Sequence, residues 1–596
     1  MKKIIKRIGL LLSLLIVAIP LQAAVQDVGA QVATLLRKQG LQGAVWTTLD
    51  KEGAAGVSNA RMGTPMQVSQ RVQVGSIAKT VLALGVLRLV SEGRLSLDAP
   101  VAGVLRGIRF DNPWEASDPV RVRHLLDHTA GLDDAHLWHV FSLRATADGP
   151  LAGAFPAGSG MPAVRQRPGT RFSYSNIGYT LLGMVVEALA GQAYEPYLDR
   201  TLLAPLGMHD SSFSFVTQAS DKRLAMGHFE DGVPQPAVPS WVRPAGQFTT
   251  TAGDMARLAR FLMSDGRIAG HSFIDATLLR QMGEPSGTEA ARAGLRVGYG
   301  LGLRRVDRHG VLAKCHGGNT VGFRTMLCLF PDTQQAFFIA INTDSETADY
   351  AGFDALLIRS LMPAATLPEP VQARHFAGES WMGWYVATPN RFDSFRFIDT
   401  VFNPVRVSSD RQSLKFGPPQ SAAVTLHHTG GGLFRAPDKH IASHALTVSP
   451  RGKRVISTGT QSYEQVSLSY LLTLWISVGA GLAGLAYIVL APILRIGMRR
   501  LSRRDPLLAP FAGVLALLLP IPFFYQQSFL QMGDLTVASG LLATVSAALP
   551  VAMVAGLYLS LRRTIVACAD IIAMLAVLQF SLVLAYWGLL PLRLWA

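Results

Sequence analysis

The sequence predicts an α+β globular unit, then a small all-β domain, then a membrane region of about four helices. Three observations carry this reading. Helical and strand-like runs mix as far as Pro363, short turn-separated strands fill 378–466, and long apolar stretches occupy 467–596. A chain of 596 residues has room for all three, and its 49% hydrophobic content is concentrated in the last of them.

The first residues, "MKKIIKRIGLLLSLLIVAIPLQAAV", join a basic start to an apolar run, which predicts a signal peptide over 1–24. The α+β unit is then expected over 25–363. Strand character begins in "LQGAVWTTLD", and an apolar helix runs from Ile77 to about Glu92, stopped by Gly93. The middle is helical and loop-rich, with "VRVRHLLDHTAGL", "SNIGYTLLGMVVEALAGQ" and "AGDMARLARFLMSDG" as its clearest helical pieces. Four β-rich runs follow between Val297 and Asn342, then a last helix from about Tyr350 to Leu361. "PAATLPEP" marks a linker assigned to 364–377, and the strands of 378–466 predict a small β-barrel or sandwich.

Four apolar spans are predicted at 468–494, 507–525, 536–560 and 565–590, each close to the length needed to cross about 30 Å of hydrocarbon. The second is marginal and proline-rich. The basic connections Arg495–Arg504 and Arg562–Arg563 fall after the first and third spans, which places both in the cytoplasm and the large domain outside, at a bacterial inner membrane. Asp570, an acidic residue within a span, is expected to reach toward the Arg562–Arg563 surface. The spans are therefore read as an anchor in the lipid bilayer.

The net charge of +15 is explained largely by basic residues flanking apolar spans, so no nucleic-acid partner is expected. The three cysteines, Cys315, Cys328 and Cys568, cannot form a disulfide framework. The offset of Cys315 and Cys328 from the expected turn argues against direct pairing. There is no zinc-like Cys/His spacing and no HExxH, so neither metal nor cofactor is expected.

Chemistry enters at "VGSIAKT". Ser76 and Lys79 are three residues apart at a helix start, so both face one side of the helix. Alone, the pair is equally a helix-capping serine with a neighbouring lysine. The helix that follows is apolar nearly all round and should be buried, and burial disfavours the charged ammonium. A neutral lysine beside a serine is a competent general base.

Further motifs occur in order: "VRHLLDHTAGL", "PGTRFSYSNIGYTLLG", "AGQFTTTAGDMARLARFL", "GYGLGL" and "HGGNTVGF". Together with "VGSIAKT" they resemble the class C β-lactamase-type branch of the β-lactamase/penicillin-binding-protein serine hydrolases, over about Gln42 to Leu361. The resemblance implies a β-lactamase/transpeptidase-like fold, an antiparallel sheet flanked by helices with a helical subdomain. It implies an acylated nucleophile at Ser76, a proton acceptor at Lys79 and a second base at Tyr174. It also implies substrate-binding roles for Asn176, His316, Gly318 and Asn319, the last through its N–H.

"HGG" stands where the family has Lys-Thr-Gly. Histidine is mostly neutral at pH 7 and would hold a substrate carboxylate weakly, which argues against efficient β-lactam hydrolysis. An ester, amide or D-amino-acid peptide, as a small-molecule or peptide substrate, is expected instead. A D-amino-acid prodrug-activating peptidase, a D,D-peptidase, and a sensor of the same fold with little turnover are the alternatives. The natural substrate and the oligomeric state are left open.

Overall fold

The computed structural model describes residues 27–362, 376, 378–410, 413–563 and 567–596. The signal peptide read at 1–24 and nearly all of the 364–377 linker lie outside the described residues.

The first unit is built on an eight-stranded antiparallel sheet. From one edge, its strands are Gly298–Tyr299, Arg304–Arg308, Val311–Thr320, Phe323–Phe330, Gln335–Ile341, Gly43–Thr47, Glu52–Asn59 and Thr64–Pro65. Side chains alternate between two cores, as a period of two requires. Ala313, Cys315, Cys328 and Ile339 pack with the helices Val28–Gln39 and Ala351–Leu361. Leu327, Leu329 and Phe338 pack into the larger core around the helix Ala78–Ser91. Eleven of that helix's 14 residues are buried, Lys79 among them, so the all-round apolar pattern does produce a central helix.

The structure corrects one expectation here. Cys315 and Cys328 are bonded. The strands Val311–Thr320 and Phe323–Phe330 form a hairpin in which Thr320 pairs with Phe323, and that register puts the two cysteines directly opposite each other. The expected offset came from misplacing the turn, which is the two-residue Val321-Gly322.

Eight antiparallel strands from Gly383–Ala387 to Ser462–Val466 close into a barrel. Its interior is filled by Tyr385, Leu414, Leu426, Phe434 and Ile456, so it has a core of its own. Ion pairs fasten it to the first unit: Arg171, 4% exposed in its side chain, meets Glu464 at 3.1 Å and Glu289 at 3.7 Å. Asp307 accepts the backbone N–H groups of His440 and Ile441.

Among the described residues four helices are long and apolar enough to cross a membrane: Leu468–Gly497, Leu508–Gln526, Val537–Leu561 and Cys568–Tyr586. The second is interrupted around Pro520, where Leu508–Ala516 gives way to Ile521–Gln526. The first begins directly after the barrel, where Trp475 Nε1 donates to the Val401 carbonyl at 2.8 Å. The turn joining the second and third spans touches the first unit, Gly533 N–H donating to the Phe141 carbonyl at 2.8 Å. Arg563 Nη2 reaches the Arg504 carbonyl at 2.7 Å, so the two basic connections meet at the other end of the bundle.

Asp570 also departs from expectation. It is buried between helices, 2.6 Å from Arg495 Nη2 and 2.9 Å from the Tyr487 hydroxyl, with Arg495 also bridging Asp505. The first and fourth spans approach closely at Gly484, where a side chain would crowd the Ala573 carbonyl, and this brings the arginine within reach. A pairing partner on a neighbouring helix outcompetes the surface.

Replacing both Cys315 and Cys328 by serine removes a crosslink closing a short hairpin, worth on the order of 3 kcal/mol. The thermal midpoint of the full chain's tryptophan fluorescence is expected to drop by a few degrees, and to drop equally when the wild type is reduced. An unmoved midpoint in both cases would contradict the bonded pair.

Candidate active site

Ser76 lies in a single 3₁₀ turn, Gly75–Ile77, that leads into the helix Ala78–Ser91. Lys79 Nζ sits 3.0 Å from Ser76 Oγ and donates to the Ala245 carbonyl at 2.6 Å. It is fully buried, and loss of hydration drives its pKa well below the ordinary lysine value. Asp134 opposes that shift by attraction, whereas Arg391 adds to it by repulsion. A neutral amine has one lone pair to offer Ser76 while one hydrogen remains on Ala245.

The Tyr174 hydroxyl donates to Ser76 Oγ at 2.9 Å. Burial raises its pKa to about 12, so the group is a neutral phenol in the ordinary range and a proton donor at rest. Its ring lies against that of His128, with centroids 4.3 Å apart. His128 Nδ1 accepts the Ser175 N–H at 3.1 Å, and burial holds its pKa well below normal, so it is a neutral support for the tyrosine. His124 serves its own helix, Nδ1 accepting the Arg121 N–H at 3.2 Å.

His316 is neutral too. Its pKa is lowered to about 3, first by burial and then by Lys79. Nδ1 lies 2.7 Å from the Gly317 carbonyl, which can only accept, so the proton is on Nδ1 and Nε2 accepts from the Tyr299 hydroxyl at 2.8 Å. His316 thus offers no positive charge to a substrate.

Gly318 lies against the serine's turn, and any side chain there would collide with the Val74 carbonyl. Gly75, at φ +52°, meets the same strand from the other side: a methyl on it would stand 2.6 Å from the Asn319 carbonyl oxygen. This tight junction brings the backbone at Ser76 beside that at Asn319. Asn176 caps no free space. Its backbone N–H and side-chain amide donate to Asp134 at 2.5 and 3.3 Å, leaving one amide hydrogen for a ligand.

All seven residues expected from the sequence therefore converge, with Ser76, Tyr174, Asn176, His316, Gly318 and Asn319 lining one cavity and Lys79 buried beneath the serine.

The Beta-lactamase family profile matches residues 26–361. The chain belongs to the Beta-lactamase family. Penicillin-binding protein 4 of Amycolatopsis lactamdurans is 31% identical over 291 residues, 47% of this chain and 74% of that protein. Esterase EstB of Burkholderia gladioli is 32% identical over 195 residues, 31% of this chain and 47% of the esterase. Among solved structures, SurE with D-Leu is 24% identical with a TM-score of 0.50, covering 74% of this chain and all of that one. The chain is accordingly a serine hydrolase of the β-lactamase/transpeptidase fold, followed by an all-β barrel and four apolar helices.

Three residues of the site were missed from the sequence. Tyr299 orients His316. Asp134, fully buried, orders Asn176. Arg391 arrives from the barrel, its Nε 2.8 Å from Asp134 and its guanidinium 4.6 Å from the Tyr174 ring centre. The adjacent acids in "HTAGLDDAH" were a usable signal for Asp134. Nothing local marks Arg391.

Labelling of Ser76 by a fluorophosphonate should rise with pH along one limb that follows loss of the Lys79 proton. Arg391→Gln removes a cation that disfavours that proton, so the limb should move to higher pH. Asp134→Asn removes an anion that favours it, so the limb should move lower. The pH profile of the labelling rate measures both. Displacement in the same direction would refute this electrostatic arrangement.

Proposed function

We propose that this chain is a membrane-anchored hydrolase that cleaves an ester, amide or D-amino-acid peptide outside the cytoplasm through an acyl-Ser76 intermediate. The observation that carries the reading is the contact chain Lys79–Ser76–Tyr174, at 3.0 and 2.9 Å around one hydroxyl. Lys79, neutral by burial, takes the Ser76 proton as Oγ attacks the substrate carbonyl. The N–H groups of Ser76 and Asn319 receive the oxyanion. Tyr174 passes its proton to the leaving group as the acyl bond breaks and regains one from Lys79. Water then repeats the sequence on the acyl-serine, releasing the acid and restoring Ser76.

The neutral His316 favours a substrate whose recognition does not rest on a carboxylate at that strand. One observation favours a second reading, a D-peptide bearing a carboxylate: Arg391 brings a cation to the cleft from outside the hydrolase unit, its side chain 47% exposed although paired with Asp134. Sidedness rests on charge. The basic connections lie at the end of the spans remote from the hydrolase unit, where the positive-inside rule puts the cytoplasm.

The full chain in detergent should acquire a fluorophosphonate adduct on Ser76, located by mass spectrometry, and release p-nitrophenol from short esters. Ser76→Ala should abolish both, with turnover falling about 10³-fold or more. Labelling undiminished in that variant would sink the mechanism. Reporter fusions after Arg504 and after Met532 should report opposite sides of the membrane, cytoplasmic for the first.

A further inference from the structure

The cavity at Ser76, about 1370 Å³, does not close within the hydrolase unit. Its wall continues through Phe395 and Ile398 of the barrel, Phe529 of the turn between the second and third spans, and Leu589 and Leu592 after the fourth. These five apolar side chains come from three separate stretches of chain. Phe395 and Phe529 are 47% and 52% exposed, and Leu592 is 37% exposed, although each lines a cavity.

Their positions are fixed relative to the membrane spans. The turn carrying Phe529 is clamped to the cleft wall: Asp534 accepts from the Ser142 hydroxyl at 2.5 Å and the Leu143 N–H at 3.1 Å, and the Phe529 and Phe141 rings meet at 4.8 Å. The last segment folds back along the third span, where Leu592 N–H donates to Ser546 Oγ at 3.1 Å. Ser546 is nine residues inside that helix, roughly 13 Å along its axis from the outer end. One end of the cavity wall is therefore at bilayer depth and the other is the reactive serine.

Resting on the acyl-serine reading above, we propose that the substrate is an amphiphile held partly in the outer leaflet, its hydrocarbon chain lying along this wall while its acyl bond reaches Ser76. Apolar side chains left open in a cavity wall gain stability only when apolar surface covers them. A chain arriving from the bilayer covers them without first crossing water, and it displaces the water that would otherwise wet the wall. A soluble polar substrate would leave the wall wet.

The test uses the full chain in phospholipid vesicles and two ester series. In p-nitrophenyl alkanoates of two to fourteen carbons the chain is in the acyl half; in S-alkyl thioacetates it is in the leaving half. In at least one series kcat/KM should rise tenfold or more with chain length. In Phe529→Ser/Leu592→Ser the ratio of long-chain to short-chain kcat/KM should fall at least fivefold, while Val448→Ser, on the barrel's outer surface, should keep it. A flat response in both series overturns the proposal and leaves acyl-Ser76 chemistry standing. A rise that the double variant retains reflects bulk partitioning and also overturns it. Absence of both Ser76 labelling and any turnover overturns the underlying reading with it.

Discussion

Lys79 is fully buried on a helix whose other buried residues are, save one threonine, apolar, and much of the site's electrostatics follows from that burial. Hydration is the main support of a lysine's charge, and here it is withdrawn. The amine is left basic rather than cationic, beside a hydroxyl that it can deprotonate. The same enclosure keeps Tyr174, His128 and His316 uncharged. The cleft floor around Ser76 is thus a set of neutral hydrogen-bonding groups, and the charges that act on it are the buried Asp134, Arg304 beside it and Arg391 at the rim.

That rim is an assembly of parts distant in sequence. The barrel contributes Arg391 and Phe392 through the segment leaving its first strand, and the Asp393 N–H donates to Asp133 at 3.0 Å, locking that segment to the loop that orders Asn176. The apolar helical region contributes through Phe529. The barrel also meets the first unit away from the cleft, through Asp307 with His440 and Ile441 and through Ala290 and Leu295 with Ala445.

Much of this was legible in the sequence because it is encoded locally. Ser76 and Lys79 are one helical turn apart, and the ordered motifs around Tyr174 and His316 hold their spacing in one stretch of chain. The apolar spans announce themselves by composition. Partnerships set by register or by packing between domains did not. The disulfide depended on which two residues form the turn, since Cys315 and Cys328 each lie five residues from Thr320 and Phe323. Asp570 depended on which helix its own would pack against. Arg391 is separated from Tyr174 by over two hundred residues, and no periodicity or motif connects them.

The contribution of the barrel to the rim bears on how the molecule can be divided. A chain cut after the hydrolase unit keeps the reactive serine, its base and its phenol. It also keeps Asp134 without its arginine, and exposes to solvent a flank that the intact protein covers. Such a fragment is a different catalyst: more open in what it admits, with an altered charge at the mouth and without the four long apolar helices. Selectivity here belongs to the joined chain, and reactivity to its first half.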